Sequence, residues 1–126
     1  MSFSNYLETK VLDHVFGGTA YTAPSTLYLA LFTTDSSESA TGTEVSGGGY
    51  ARQTVTFTTS GATTSNDADV EFPTATASYG TVVAVAVMDA LTGGNMLAYA
   101  GLSSDKTIAS GDVFRVPSGD LDITLD

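Results

Sequence analysis

The closing stretch, Asn95 to Asp126, reads NMLAYAGLSSDKTIASGDVFRVPSGDLDITLD. In its last six residues Leu121, Ile123 and Leu125 alternate with Asp122, Thr124 and Asp126. Neighbouring side chains on a strand point to opposite faces, so this alternation predicts a half-buried strand with an acidic outer face. The expectation is a module whose last residues still face its core, with no tail or linker behind them.

The segments before it have the same texture. Thr81 to Met88 (TVVAVAVM) is the most hydrophobic strand candidate and is expected to be central. Thr26 to Thr33 (TLYLALFT) is apolar on both faces, as a strand covered on both sides would be. In Arg52 to Thr58, Val55 and Phe57 alternate with threonine, and in Asp69 to Phe72 the apolar face is Val70 and Phe72. Asp89 to Gly94 reads as a turn into Asn95 to Leu102, which suggests a hairpin. Short strands are expected near Lys106 to Ala109 and Val113 to Val116. About eight strands at close, turn-punctuated spacing predict an all-β fold: a single-domain β-sandwich of jelly-roll or Ig-like kind over residues 26–126. No internal repeat is visible.

The first eighteen residues differ. Leu7, Val11 and Val15 recur at i, i+4 spacing, and Leu12 and Phe16 widen the stripe. Asn5 with Glu8 fits a capping box, and Gly17-Gly18 a helix stop. One amphipathic helix is predicted, packed either across one end of its own sandwich or on a neighbouring subunit. Asp35 to Gly49 (DSSESATGTEVSGGG) has almost no apolar residue and reads as a long exposed loop, the kind that contacts partners. The partner-contact candidates are therefore Leu7, Val11 and Val15 on the helix, with Glu38, Thr43, Glu44, Val45 and Tyr50 in and after the loop. Deleting Glu38 to Ser46 is expected to weaken binding and leave the fold intact.

At 126 residues the chain is one domain, residues 1–126. It has no cysteine, so neither disulfides nor thiolate metal sites are expected. The longest apolar run, Val82 to Met88, has strand length, and no signal peptide is visible at the N-terminus. Fourteen acidic residues against four Lys and Arg give a net charge of -10. Such a surface repels phosphate, which argues against nucleic acid or an anionic membrane as partner.

Signs of chemistry are sparse. The lone His14 lies on the helix beside Asp13, and no Gly-x-Ser-x-Gly elbow accompanies it. Asp67, Asp69 and Glu71 would share one strand face and form a weak metal candidate, but a calcium loop wraps its ligands around a central glycine, which is missing. Gly47-Gly48-Gly49 lacks the lysine and flanking pattern of a phosphate loop. No catalytic role and no cofactor are expected.

The ordered blocks SNYLETKVLDHVFGGTAYTAPSTLYLALFT, GTEVSGGGYARQTVTF, FPTATASYGTV, MDALTGGNMLAYAGL and SGDVFRVPSGDLDITL resemble a group of small tailed-bacteriophage virion structural proteins, labelled Gp80-like or tail-fibre. Gly42 to Gln53 is the most specific block. The resemblance implies a location in the virion and supplies no catalytic residues to carry over; with no signal peptide visible, assembly in the host cytoplasm is expected. A compact acidic module without a repeat suits a capsid decoration (cement) protein on the outer head lattice, bound to the major capsid protein or other virion proteins. A homo-oligomer, a trimer on sites of local threefold symmetry, is the matching expectation. The alternatives are a tail fibre, tail tip or baseplate component contacting the host, and a carbohydrate-binding module.

Overall fold

A computed structural model describes residues 1–125; Asp126, the last member of the terminal alternation, lies outside the described residues. The chain forms an all-β, sandwich-like domain with one short N-terminal helix. Its main sheet is built from β1 (Ser2–Phe3), β2 (Leu27–Phe32), β3 (Gln53–Val55), β7 (Gly80–Met88) and β8 (Met96–Ile108), in the order β1-β8-β7-β2-β3. Every pairing is antiparallel. The second layer consists of a three-stranded sheet, β4 (Phe57–Ser60), β5 (Thr63–Asn66) and β10 (Asp122–Thr124), and a two-stranded one, β6 (Val70–Glu71) and β9 (Arg115–Val116).

The two most apolar strands sit side by side, as their lack of a polar face requires. Leu29 opposes Val87 and Leu31 opposes Val85. These four turn one face toward the second layer and pack with Val55, Val70, Phe72, Phe114, Val116 and Leu121 in the main core. The opposite face carries Ala30, Phe32, Ala84, Ala86, Met88 and Met96, a second and smaller buried cluster. The chain leaves β3 for β4 through Thr56 alone, so one run of sequence serves both layers and turns a corner of the sandwich.

Several boundaries differ from the sequence reading. The two strands expected at Asn95 to Leu102 and Lys106 to Ala109 are one strand, β8. Its register against β7 jumps from Ala84↔Gly101 to Val82↔Lys106, so Leu102 to Asp105 bulge out without ending the strand. The acidic run does not form one strand face: β5 ends at Asn66, the chain bends at Ala68, and β6 starts at Val70. In the terminal strand burial fades toward the end: Leu121 is buried, Ile123 half-buried and Leu125 exposed.

Helix α1 spans Asn5–Val15 and is capped one residue earlier than the capping-box reading placed it. Ser4 Oγ accepts from Leu7 N at 3.2 Å. The same hydroxyl donates to Met96 O, and Ser4 N donates to Leu97 O at 2.8 Å, so the cap also rivets the helix start to β8. Beyond that anchor the helix buries no residue.

Candidate functional site

The block Gly42 to Gln53 folds into a clasp. From Thr43 the chain runs back along β2: Thr33 N donates to Thr43 O at 2.8 Å, and Val45 N to Leu31 O at 3.0 Å. That places the Glu44 carboxylate beside Arg52. Arg52 Nε and Nη2 donate to Oε2 and Oε1 at 2.9 and 2.8 Å, a bidentate pair. Arg52 Nη1 donates to Ala90 O at 2.7 Å and Gly93 O at 2.8 Å, gripping the turn between β7 and β8. Tyr50 OH donates to Glu44 Oε2 at 2.7 Å and accepts from Leu31 N at 3.0 Å. Its ring stacks on Phe72 at 6.0 Å and meets Tyr79 edge-on at 5.8 Å. One ion pair thus ties together the long loop, β2, the β7–β8 turn and the aromatic core.

The three glycines are needed to bring Tyr50 and Arg52 into place. Gly47, Gly48 and Gly49 have φ of 77, 61 and 80°, a left-handed run that other residues adopt at a cost. A Cβ on Gly48 would stand 2.6 Å from Ala77 O. Gly48→Ala is expected to cost at least about 2 kcal/mol, from the left-handed strain plus the backbone clash. Urea unfolding of the variant checks this, and an unchanged midpoint would contradict it.

The clasp sets the charge states of its members. Burial alone would push the Glu44 carboxyl up; the hydrogen bonds from Arg52 and Tyr50, with the guanidinium charge, outweigh it and hold the carboxyl below its usual 4.5. Burial, then donation to the Glu44 carboxylate, pushes the Tyr50 phenol well above its usual 10.0. A carboxyl lowered by folding stabilises the fold above its unfolded pKa and loses that contribution as pH falls through the folded value. A phenol raised by folding contributes below its unfolded pKa and loses the contribution as pH rises through the folded one. Melting temperature should therefore decline below pH 4.5 and above pH 10. Glu44→Gln should flatten the acid limb and Tyr50→Phe the alkaline limb. Identical profiles in wild type and variants would show that other groups control both.

The partner-contact candidates fall into two sets. Glu44, Val45 and Tyr50 point inward, in the clasp and the core, while Glu38 and Thr43 remain exposed. Deleting Glu38 to Ser46 would remove Glu44 and Val45, so the fold would not stay intact as the sequence reading expected. Leu7 and Val11 are half-buried, and Val15 is exposed.

Asp67, Asp69 and Glu71 are not brought together. Thr56 and Thr58 hydroxyls donate to Asp67 and hold its carboxyl below the usual value. Asp69 accepts from Ser118 N at 2.8 Å and lies 3.4 Å from Arg115. Among the described residues no group of three or more His, Cys, Asp or Glu could hold a metal ion. His14 Nδ1 accepts from Tyr21 N at 3.0 Å, which fastens the segment after the helix. Sequence reasoning missed Asn66, a buried hub. Its Nδ2 donates to Ala68 O and Pro117 O at 3.1 and 2.9 Å, and its Oδ1 accepts from Leu121 N at 2.8 Å.

The most elaborate polar contacts in the domain hold loops and strands in place, and comparison with known families gives the class they serve: bacteriophage structural proteins of the fibre type. The matching family model is described as podophage GP4 fiber I protein gp80; it spans residues 2–124, and the chain belongs to this family. The resemblance read from the sequence is thereby borne out, and with it a structural role in the virion, in association with other virion components. A comparison with curated proteins returned no match.

Proposed function

We propose that this chain is a non-catalytic component of the fibre apparatus, assembled in the host cytoplasm and seated among other virion subunits through its N-terminal helix. One observation carries the reading. The helix has an apolar stripe, yet none of its residues is buried, and Leu12, Val15 and Phe16 are 58, 61 and 81% exposed. An apolar face left open by its own domain marks a site of protein contact. The family description supports a fibre over the head lattice expected from charge and compactness.

The test is the copy number of the chain in purified virions, measured against the major capsid protein by quantitative mass spectrometry. A fibre component is present in copies set by the few symmetric positions around the tail, far below the capsid protein. A number comparable with the capsid protein would return the chain to the head as a decoration protein.

A further inference from the structure

The sandwich is open along one side. Three strand edges border a single 640 Å³ cleft there: β8 from Ala100 onward, β9 and β10, the last two with a neighbour on one side only. Members of the main core, Val85, Ile108, Phe114, Val116 and Leu121, line it between those edges. One end of the gap is already filled by β1. This strand pairs with Ala98 and Tyr99 of β8 on one side, and Met1 N donates to Asp122 O of β10 at 2.8 Å on the other. Past Met1 the gap goes on along β8. Ser4 N donates to Leu97 O, so the backbone of Leu97 faces β1, and alternation turns Tyr99 and Gly101 the same way. Gly101 therefore presents its N–H and C=O to the cleft, where among the described residues no strand pairs with them.

We propose that the cleft receives an extended, acidic segment of a neighbouring virion subunit, added as a strand that runs on from β1 along β8. Open strand edges above an apolar lining suit a strand: its backbone bonds to Gly101, and every second side chain meets core residues such as Val85, Phe114 or Leu121. Charge selects an acidic one. The chain has four Lys and Arg. Arg52 is committed to the clasp, and Lys10 lies over the Tyr6 ring on the helix. The other two, Lys106 on β8 and Arg115 on β9, both line the cleft. Lys106 is in no ion pair among the described residues, and Arg115 stands loosely by Asp69 at 3.4 Å, with both side chains more than half exposed. The carboxylates in the lining, Asp120 and Asp122, lie by β10, and Asp122 already accepts from the Ser65 hydroxyl. A chain of net charge -10 thus gathers half of its cations at one slot, within reach of outward-facing carboxylates on an added strand.

The proposal rests on the fibre-component reading only for the source of the segment. Its test needs no other virion protein, so failure here leaves the fibre location, read from copy number, untouched. The probe is a fluorescent, end-blocked peptide, TVDVTVD, with TVKVTVK and TVDPTPD as controls. Anisotropy should show saturable binding of the acidic peptide, several-fold weaker binding of the lysine peptide, and none of the proline peptide, which lacks N–H donors along its length. The double variant Lys106→Glu, Arg115→Glu changes only exposed side chains, so it should keep its fold and reverse the preference. Fusing TVDVTVD directly ahead of Met1 gives a second measurement, because tethering raises the effective concentration. That chain should melt higher than one carrying TVDPTPD, and its Gly101 amide should exchange more slowly. Absence of binding together with an unchanged fused chain, a proline peptide that binds equally well, or a preference that the double variant does not reverse would overturn the proposal.

Discussion

Arg52→Ala is expected to destabilise the domain by about 3–5 kcal/mol, the cost of removing one partner from a buried ion pair. The Arg52 side chain is only 7% exposed, and it fills four hydrogen-bonding roles at once. Alanine would leave the Glu44 carboxylate partly buried without its cation and strip the donors from Ala90 O and Gly93 O. It would also free the long loop from the β7–β8 turn. For a domain of this size the loss is about 10–20 °C in melting temperature. Arg52→Lys should recover little, because an ammonium cannot make the bidentate pair and reach both carbonyls together. Thermal melts of the two variants measure this; a drop of only a degree or two in Arg52→Ala would mean that the clasp is a surface pair of small worth.

Asn66→Asp is the second large effect, at least about 3 kcal/mol at neutral pH. The substitution keeps shape and removes two donors. The oxygen replacing Nδ2 would face Ala68 O and Pro117 O, and the new charge would sit where Asn66 is 2% exposed. Burying an unpaired charge raises its pKa, so the variant should regain stability as pH falls and the carboxyl takes up a proton. Wild-type stability has no such term. Denaturant midpoints at neutral and mildly acidic pH decide it, and equal losses at both would point to packing in place of charge.

Much of the fold was legible because it rests on period. The apolar runs of β2 and β7 named the central strands, and i, i+4 spacing named the helix. The rest depended on contacts distant in sequence. Asn66 meets Pro117 and Leu121 across 51 and 55 residues, and nothing near it foretells that. The Asp35 to Gly49 loop looked free because it is polar. Val45, its one large apolar residue, and the arginine that follows the glycines were the available signals that its second half folds inward. The continuity of β8 was hidden by Leu102 to Asp105, whose polar bulge reads locally as a turn. The site residues divided along the same line: exposed helix positions follow from amphipathicity, whereas the inward turn of Glu44 and Tyr50 depends on a partner across the fold.

The pairing of the chain's ends has a kinetic consequence. β1 is hydrogen-bonded to Tyr99 and Ala98, and the Met1 ammonium donates to Asp122 O at 2.8 Å across 121 residues. The edge of the main sheet therefore cannot close until β8 has left the ribosome. Non-local closure of this kind places folding of an all-β domain in the millisecond-to-second range. During that interval the amphipathic helix waits without its strand.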